Sequence, residues 1–368
     1  PLGLSYKMQE FFEIWGWHWL NDYSLALSIA MIAFEIIAGV AVLVGWQMRL
    51  FSWLLLLLIL FFTFLTGYAL FSGKVRECGC FGDCIPLTAD QSFMKDVVLL
   101  ALIGLVFAYR NTIKPALSRR NSIVVLFFTA VFSIALQFHV LAHLPILDCL
   151  PYKKGNNIVE KMNIPPGAVP DSTVITFVYN KGGQEVEFTA SEFPEDFDDS
   201  LYQFVKRYDK VVRKGNAEPA IKDFSLVTFY GNDTTKALLT EDRYQLYLFL
   251  KDGYKTGSWT EALDAIMRTA EQKKIDGIMV TSLPLEALRH QPPDVFYAFT
   301  PVQCDVVAIK TAARANPALF LVKNGTILEK WSYFDFGRAL EAVAKLPENP
   351  ARIEPVPAEQ VTDSTAVQ

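Results

Sequence analysis

The pattern of apolar and charged positions divides this chain at about residue 145. Before that point lie four runs of the kind that cross a membrane, which takes about 20 mostly apolar residues. They extend from about Leu25 to Trp46, broken by Glu35; from Leu50 to Gly73; from about Phe93 to Tyr109; and from about Ile123 to Leu141. The third is short and carries Lys95 and Asp96 near its start, so a re-entrant or half-buried segment competes with a full span there. Trp15, Trp17, His18, Trp19 and Tyr23 precede the first run, as expected of an aromatic belt at a membrane interface.

Beyond residue 145 the periods shorten. Residues 151–172, rich in Pro, Gly and Asn, read as an extended tether. Val174–Tyr179 and Glu185–Phe188, joined through Lys181-Gly182-Gly183, predict a hairpin, and Phe224–Tyr230 predicts a further strand. A βα pattern follows: strand Gln245–Leu250, helix Thr260–Lys273 with Ala262, Ile266 and Ala270 on one face, strand Ile275–Thr281, and short helices at Pro284–His290 and Val306–Ala315. Ala318–Val322 and Thr326–Trp331 flank Lys323-Asn324-Gly325, a hairpin turn, and Gly337–Lys345 reads as a closing helix. The tail after Pro347 has the composition of a disordered segment.

Charge adds an orientation. Arg49 lies between the first two spans, and Arg110, Lys114, Arg119 and Arg120 lie between the last two. Basic short loops face the cytoplasm, so these two share that side, and the loop between spans two and three faces outward with everything after span four. Residues before Leu25 then also lie outside, and a cytoplasmic amino end requires a fifth helix upstream of Pro1. The net charge of −5 over 368 residues is mild, and the soluble half has no basic stripe interleaved with aromatics, which argues against nucleic acid as a partner.

The candidate chemistry is concentrated in the outward loop, Cys78-Gly79-Cys80-Phe81-Gly82-Asp83-Cys84, with three of the five cysteines. Cys149 stands just beyond span four on the same side. Outside the cytoplasm disulfides persist. Cys78 and Cys80, separated by one glycine, suit an exchange-prone disulfide, with a structural disulfide or inert thiols as the alternative, and Lys74 and Arg76 could favour a thiolate. Cys84 and Cys149 could form a staple or an electron shuttle. A four-thiolate zinc site is the competing use, but the Cys-x-Cys spacing suits it poorly, and no metal is assigned. His139 and His143, at i, i+4, read as polar anchors, with metal binding as the alternative. Cys304 stands apart and reads as a buried or incidental thiol. Glu35, an acid deep in an apolar span, reads as either a helix-packing residue or a proton or quinone contact.

Two resemblances follow from these residues. Asn316-Pro317-Ala318-Leu319-Phe320 and the hairpin after it resemble the cis-proline loop of a thioredoxin-like domain, with Pro317 as the cis-proline. Where a thioredoxin carries Cys-x-x-Cys, this chain reads Lys251-Asp252-Gly253-Tyr254-Lys255-Thr256-Gly257-Ser258-Trp259, so the resemblance implies the fold and not the activity. Residues 1–141 resemble the DoxX family, in its MauE-like redox-associated branch of the Bacteroidetes type, through Cys78-Gly79-Cys80-Phe81-Gly82, Gln91–Asp96, Glu35 and the Gly39–Gly45 segment. That resemblance implies disulfide chemistry beside a thioredoxin-like partner, here fused.

The expected architecture is a membrane α-helical bundle with four visible spans and a fifth upstream, followed by a soluble α/β thioredoxin-like domain. Its divisions are 1–143 for the bundle, 144–222 for a periplasmic linker and hairpin region, 223–347 for the thioredoxin-like domain and 348–368 for a disordered tail. The expected function is thiol–disulfide exchange with a periplasmic client at an inner membrane. The expected site is Cys78, Cys80, Cys84 and Cys149, with Glu35 toward a cofactor of the membrane quinone class. The alternative is a non-enzymatic subunit of an envelope complex, with the thioredoxin-like domain as a binding module.

Overall fold

A computed structural model describes residues 1–72, 84–85, 87–170, 172–189, 191–194, 197–198, 200–213, 215, 217–251, 259–289 and 298–351. Cys78 and Cys80, with Lys74 and Arg76, lie outside the described residues, as do residues 252–258 and the tail from 352.

Among the described residues four helices are long and apolar enough to cross a membrane. Preceding them is α1 (Leu2–Ile14), followed by a short 3₁₀ turn. The spans are α2 (Ser24–Leu43), α3 (Met48–Ser72), α4 (Ala89–Ala108) and α5 (Arg119–Ala142). The third expected span is therefore a full helix. It begins four residues earlier than the apolar run, at Ala89, capped by Thr88, whose N–H donates to Gln91 Oε1 at 3.3 Å.

α3 packs along α4 and α2 along α5. Gly67 lies under the Phe93 ring, where a Cβ would come within 3.3 Å, so a larger residue would push α3 and α4 apart. α1 was not foreseen as a helix. It lies at the end of the bundle where α2 begins and α3 ends, with Ser5 Oγ and Ser24 Oγ hydrogen-bonded at 2.9 Å and Phe11 packed on Ala69. Trp15 of the expected belt packs against Phe11 and Tyr68.

The opposite end carries the basic turns. Arg49 Nε donates to Asn111 Oδ1 at 2.9 Å, and Ala116 N–H donates to the Val44 carbonyl at 2.9 Å. Gly45 adopts φ +71° there, and a Cβ on it would lie 2.9 Å from the Lys114 carbonyl oxygen, so only glycine allows that approach. The two basic loops thus share one face, and the soluble domain stands at the other.

The tether expected over 151–172 is instead partly built into the soluble domain. It holds a short helix, α6 (Ile158–Met162), and Tyr152 and Ile158 are buried beside Phe224. The hairpin is β1 (Ser172–Lys181) and β2 (Gln184–Thr189), and β3 (Tyr202–Arg213) adds to it in the order β2-β1-β3. Residues 224–230 form no strand. Phe224 and Leu226 are buried, but the segment makes only isolated bridges at Val227 before α7 (Thr235–Leu239).

The described strands then form a five-stranded sheet, ordered β6-β5-β4-β7-β8. These are β4 (Tyr244–Leu250), β5 (Asp276–Thr281), β6 (Phe299–Gln303), β7 (Ala318–Lys323) and β8 (Thr326–Ser332). β4, β5 and β6 run parallel, and β7 and β8 are antiparallel to their neighbours. Between them stand α8 (Trp259–Gln272), α9 (Leu285–Arg289) and α10 (Val306–Ala312), and α11 (Phe336–Ala344) closes the domain.

Alternation along β4 feeds two cores. Leu246, Leu248 and Leu250 meet α8 and α11 on one face, while Tyr247 and Phe249 meet α10, Tyr152 and Phe224 on the other. Helices on both faces of this mixed sheet, with Asn316–Pro317 cis before β7, make the thioredoxin-like architecture.

Candidate functional site

The site is assembled where the two halves meet. Cys84, just ahead of α4, forms a disulfide with Cys149, just beyond α5, across 65 residues of sequence. The pair expected as staple or shuttle is therefore joined, and two of the four sulfurs of the alternative zinc set are used. Among the described residues no three His, Cys, Asp or Glu side chains converge as a metal site.

Three further contacts fix the junction. His143 Nδ1 lies 2.8 Å from Asp335 Oδ2, so the histidine anchors the soluble domain, with the His139 ring 4.6 Å away. Lys330 Nζ donates to Asp148 Oδ2 at 2.8 Å; burial holds that ammonium below its ordinary pKa, and the carboxylate opposes the shift. Tyr6 of α1 sits among three cations of the soluble domain: Lys251, Lys310 and Arg314 lie 5.5, 5.2 and 5.8 Å from its ring centre.

These cations mark which edge of the fold is docked. Lys251 follows the last residue of β4, and its N–H donates to Asn316 Oδ1, next to the cis-proline, at 3.0 Å. That is the edge where a thioredoxin presents its thiols. In this chain it faces α1.

Cys304, at the end of β6, is buried, and burial pushes its thiol up to about 11. A thiol held protonated in an apolar core is a poor nucleophile, which accords with the reading of an incidental cysteine.

Glu35 lies on a groove of about 970 Å³ between α1, α2, α3 and α4, which Arg314 of the soluble domain also lines. Sequence reasoning missed the other polar groups of this groove. Asp96 is 1% exposed, with its carboxylate 2.7 Å from Lys95 Nζ and accepting a hydrogen bond from Thr66 Oγ1 at 2.9 Å. Lys95 lines the same groove as Glu35. The signal was Thr66 amid large apolar residues of α3, but Asp96 reads as a terminal residue while α4 is taken to start at Phe93.

Comparisons with known proteins give separate matches for the two parts. The family model described as methylamine utilisation protein MauE matches residues 5–109. A domain of unknown function, DUF8463, matches residues 173–214. No curated protein is a significant match. Solved structures similar to the soluble part include a thiol:disulfide interchange protein from Bacteroides sp., at 17% identity over 33% of this chain and 85% of that one, TM-score 0.25. The bacterioferritin comigratory protein of Xanthomonas campestris is 16% identical over 34% of this chain and 92% of its own, TM-score 0.26. BsSco, of the Sco family of cytochrome c oxidase assembly proteins, is 13% identical over 34% and 94%, TM-score 0.24. The fold assignment rests on the sheet order and not on these scores.

Proposed function

We propose that this chain is a DoxX-branch, MauE-like thiol–disulfide redox protein of a bacterial inner membrane, with the cysteine loop and the soluble domain in the periplasm. The observation that carries the reading is the pairing of Cys84 with Cys149. With Cys304 buried, Cys78 and Cys80 are the two cysteines left for exchange. The basic turns at the opposite end of the bundle support the orientation.

In the proposed cycle a thiolate of a reduced client attacks the Cys78–Cys80 disulfide and a mixed disulfide forms. The second client thiol resolves it. The client leaves oxidised, and Cys78 and Cys80 leave as thiols. Restoring the disulfide would require an acceptor of two electrons and two protons, which a membrane quinone would supply. Contacts of Tyr6 and His143 and the Cys84–Cys149 disulfide support this reading as positioning elements that join the soluble domain to the bundle.

Thiol trapping in cells tests the proposal. Cys78 and Cys80 should shift between oxidised and reduced forms under oxidising and reducing stress. A single redox state under both conditions would sink it.

One observation favours a second reading. No cysteine occupies 251–259, and a thioredoxin-like domain without thiols can serve as a binding module in an envelope complex. Full function in a Cys78→Ser/Cys80→Ser variant, together with a stoichiometric partner, would select that reading.

A further inference from the structure

We infer that the outer edge of β3 is a docking strand. It takes an extended segment of a protein partner, alternating acidic and apolar residues, as a fourth strand of the sheet β2-β1-β3. This rests on the reading that the soluble half engages a protein, and it names how that protein is held.

The first observation is an open, preformed edge. β3 is the longest of the described strands, 12 residues, or about 40 Å, and it stands outermost in the order β2-β1-β3. It contains neither proline nor glycine. From Gln203 to Arg213, among the described residues, its backbone pairs with β1 alone. The sheet is held from within. Tyr179 of β1 packs on Phe188 and on Phe204, and Tyr208 Oη of β3 donates to Glu187 Oε2 of β2 at 2.7 Å. The DUF8463 match, residues 173–214, coincides with these three strands. A long edge of this kind is a template for another strand.

Charge selects the occupant. β2, at the other edge, has Glu185 and Glu187 and no base. β3 carries Lys206, Arg207, Lys210 and Arg213 against one acid, Asp209, which Arg207 faces at 3.8 Å. Lys206, Arg207 and Arg213 are exposed. Such bases oppose a second copy of the same edge, which sets like charges opposite, and attract an acidic strand. The same acidic strand is repelled by β2. Bases alone make a blunted, solvated edge; Phe204 and Val205, exposed beside them, give a partner apolar surface to cover.

Register sets the alternation. Residues directly opposite one another share a face of the sheet. Val178 lies between Glu187 and Lys206 on one face, and Tyr179 lies between Val186 and Phe204 on the other. Phe204 is 59% exposed. A fourth strand of alternating character therefore sets its acids beside Lys206 and its apolar side chains beside Phe204.

The test uses the full chain in lipid nanodiscs and a fluorescent peptide of repeated Glu-Val-Glu-Phe. One control peptide has Lys in place of Glu. Another keeps the acids but carries N-methyl groups on adjacent amides, which blocks both edges of a strand. The acidic peptide should bind, more weakly as salt rises, and should slow amide exchange within 203–213. Affinity should fall by about tenfold or more for the N-methylated peptide and for the Lys206→Glu/Arg207→Glu variant. Absence of binding overturns the inference, as does equal binding of the lysine or N-methylated peptide, or protection at 184–189 in place of 203–213. Protection of 203–213 that grows with protein concentration in the absence of peptide assigns the edge to a second copy and also overturns it. The N-methyl comparison needs no variant, so a double variant that fails to fold leaves the test intact. Thiol trapping of Cys78 and Cys80 is read independently, so the redox proposal stands or falls separately.

Discussion

Two regions of this molecule each have what the other lacks. The end of β4, with Asn316 and the cis Pro317, has the geometry of a thioredoxin thiol edge and no cysteine from Lys251 to Trp259. The loop between α3 and α4 has three cysteines and belongs to a different fold. The soluble edge is docked on α1 through Tyr6, while the loop is tied to the same junction by Cys84–Cys149. On the proposed reading fold and thiol chemistry are separated: the thioredoxin-like domain would serve as a positioned neighbour, and exchange would belong to the membrane-side cysteines.

Perturbations of the junction sharpen this contrast, beginning with the disulfide. Cys84→Ser/Cys149→Ser opens a closure of 65 residues, with a chain-entropy cost of at most about 4 kcal/mol. The expected outcome is faster proteolysis between α5 and α6 and a lower Tm, both reproduced in the parent protein by reductant. An unchanged digestion pattern would mean that the staple does not hold the two edges together.

Tyr6→Leu has the next largest effect. It keeps an apolar side chain but removes the ring shared by Lys251, Lys310 and Arg314. At roughly 0.5 kcal/mol or more for each cation, docking should weaken by about 1–2 kcal/mol, read as increased crosslinker reach between α1 and the soluble domain. If reach does not change, the His143–Asp335 and Lys330–Asp148 pairs carry the docking.

Cys304 gives the smallest effect, confined to alkaline pH. Burial raises its folded-state value to about 11 from 9.0. The unfolded thiol therefore ionises first, and the folded state holds the extra proton. Its contribution is intact below pH 9 and is lost as pH climbs from 9 through about 11. Cys304→Ala should flatten that part of the Tm-against-pH curve and leave exchange at neutral pH unchanged. Loss of exchange in this variant would return the chemistry to the soluble domain.

Much of this organisation is legible in the residues. Apolar runs of membrane length mark α2, α3 and α5, and the β4–α8–β5 alternation and the Asn324-Gly325 turn mark the sheet. What was not legible depends on tertiary packing. β6 contains Pro301, which local rules count against a strand, yet as an edge strand it tolerates the missing donor. Phe224–Tyr230 looks like a strand because its apolar residues fill a core, while its backbone bonds go to isolated partners. Tyr152 and Ile158 sit in a Pro- and Gly-rich stretch that reads as a tether until the α10 face of the sheet is present to bury them. Asp96 becomes an interior residue because α4 starts at Ala89. Cys84 and Cys149 were foreseen as a pair on one side of the membrane, but which of staple or shuttle they form was not decided by spacing.

The central claim is that the membrane-side cysteines carry the exchange. Trapping with single variants tests it most directly: Cys78→Ser and Cys80→Ser are expressed separately in cells, and thiols are quenched in acid. The account predicts that one of the two accumulates a mixed disulfide with an envelope protein, released by reductant, and that Cys304→Ser changes nothing. Absence of an adduct in both single variants, with client oxidation proceeding as in the parent, would contradict it.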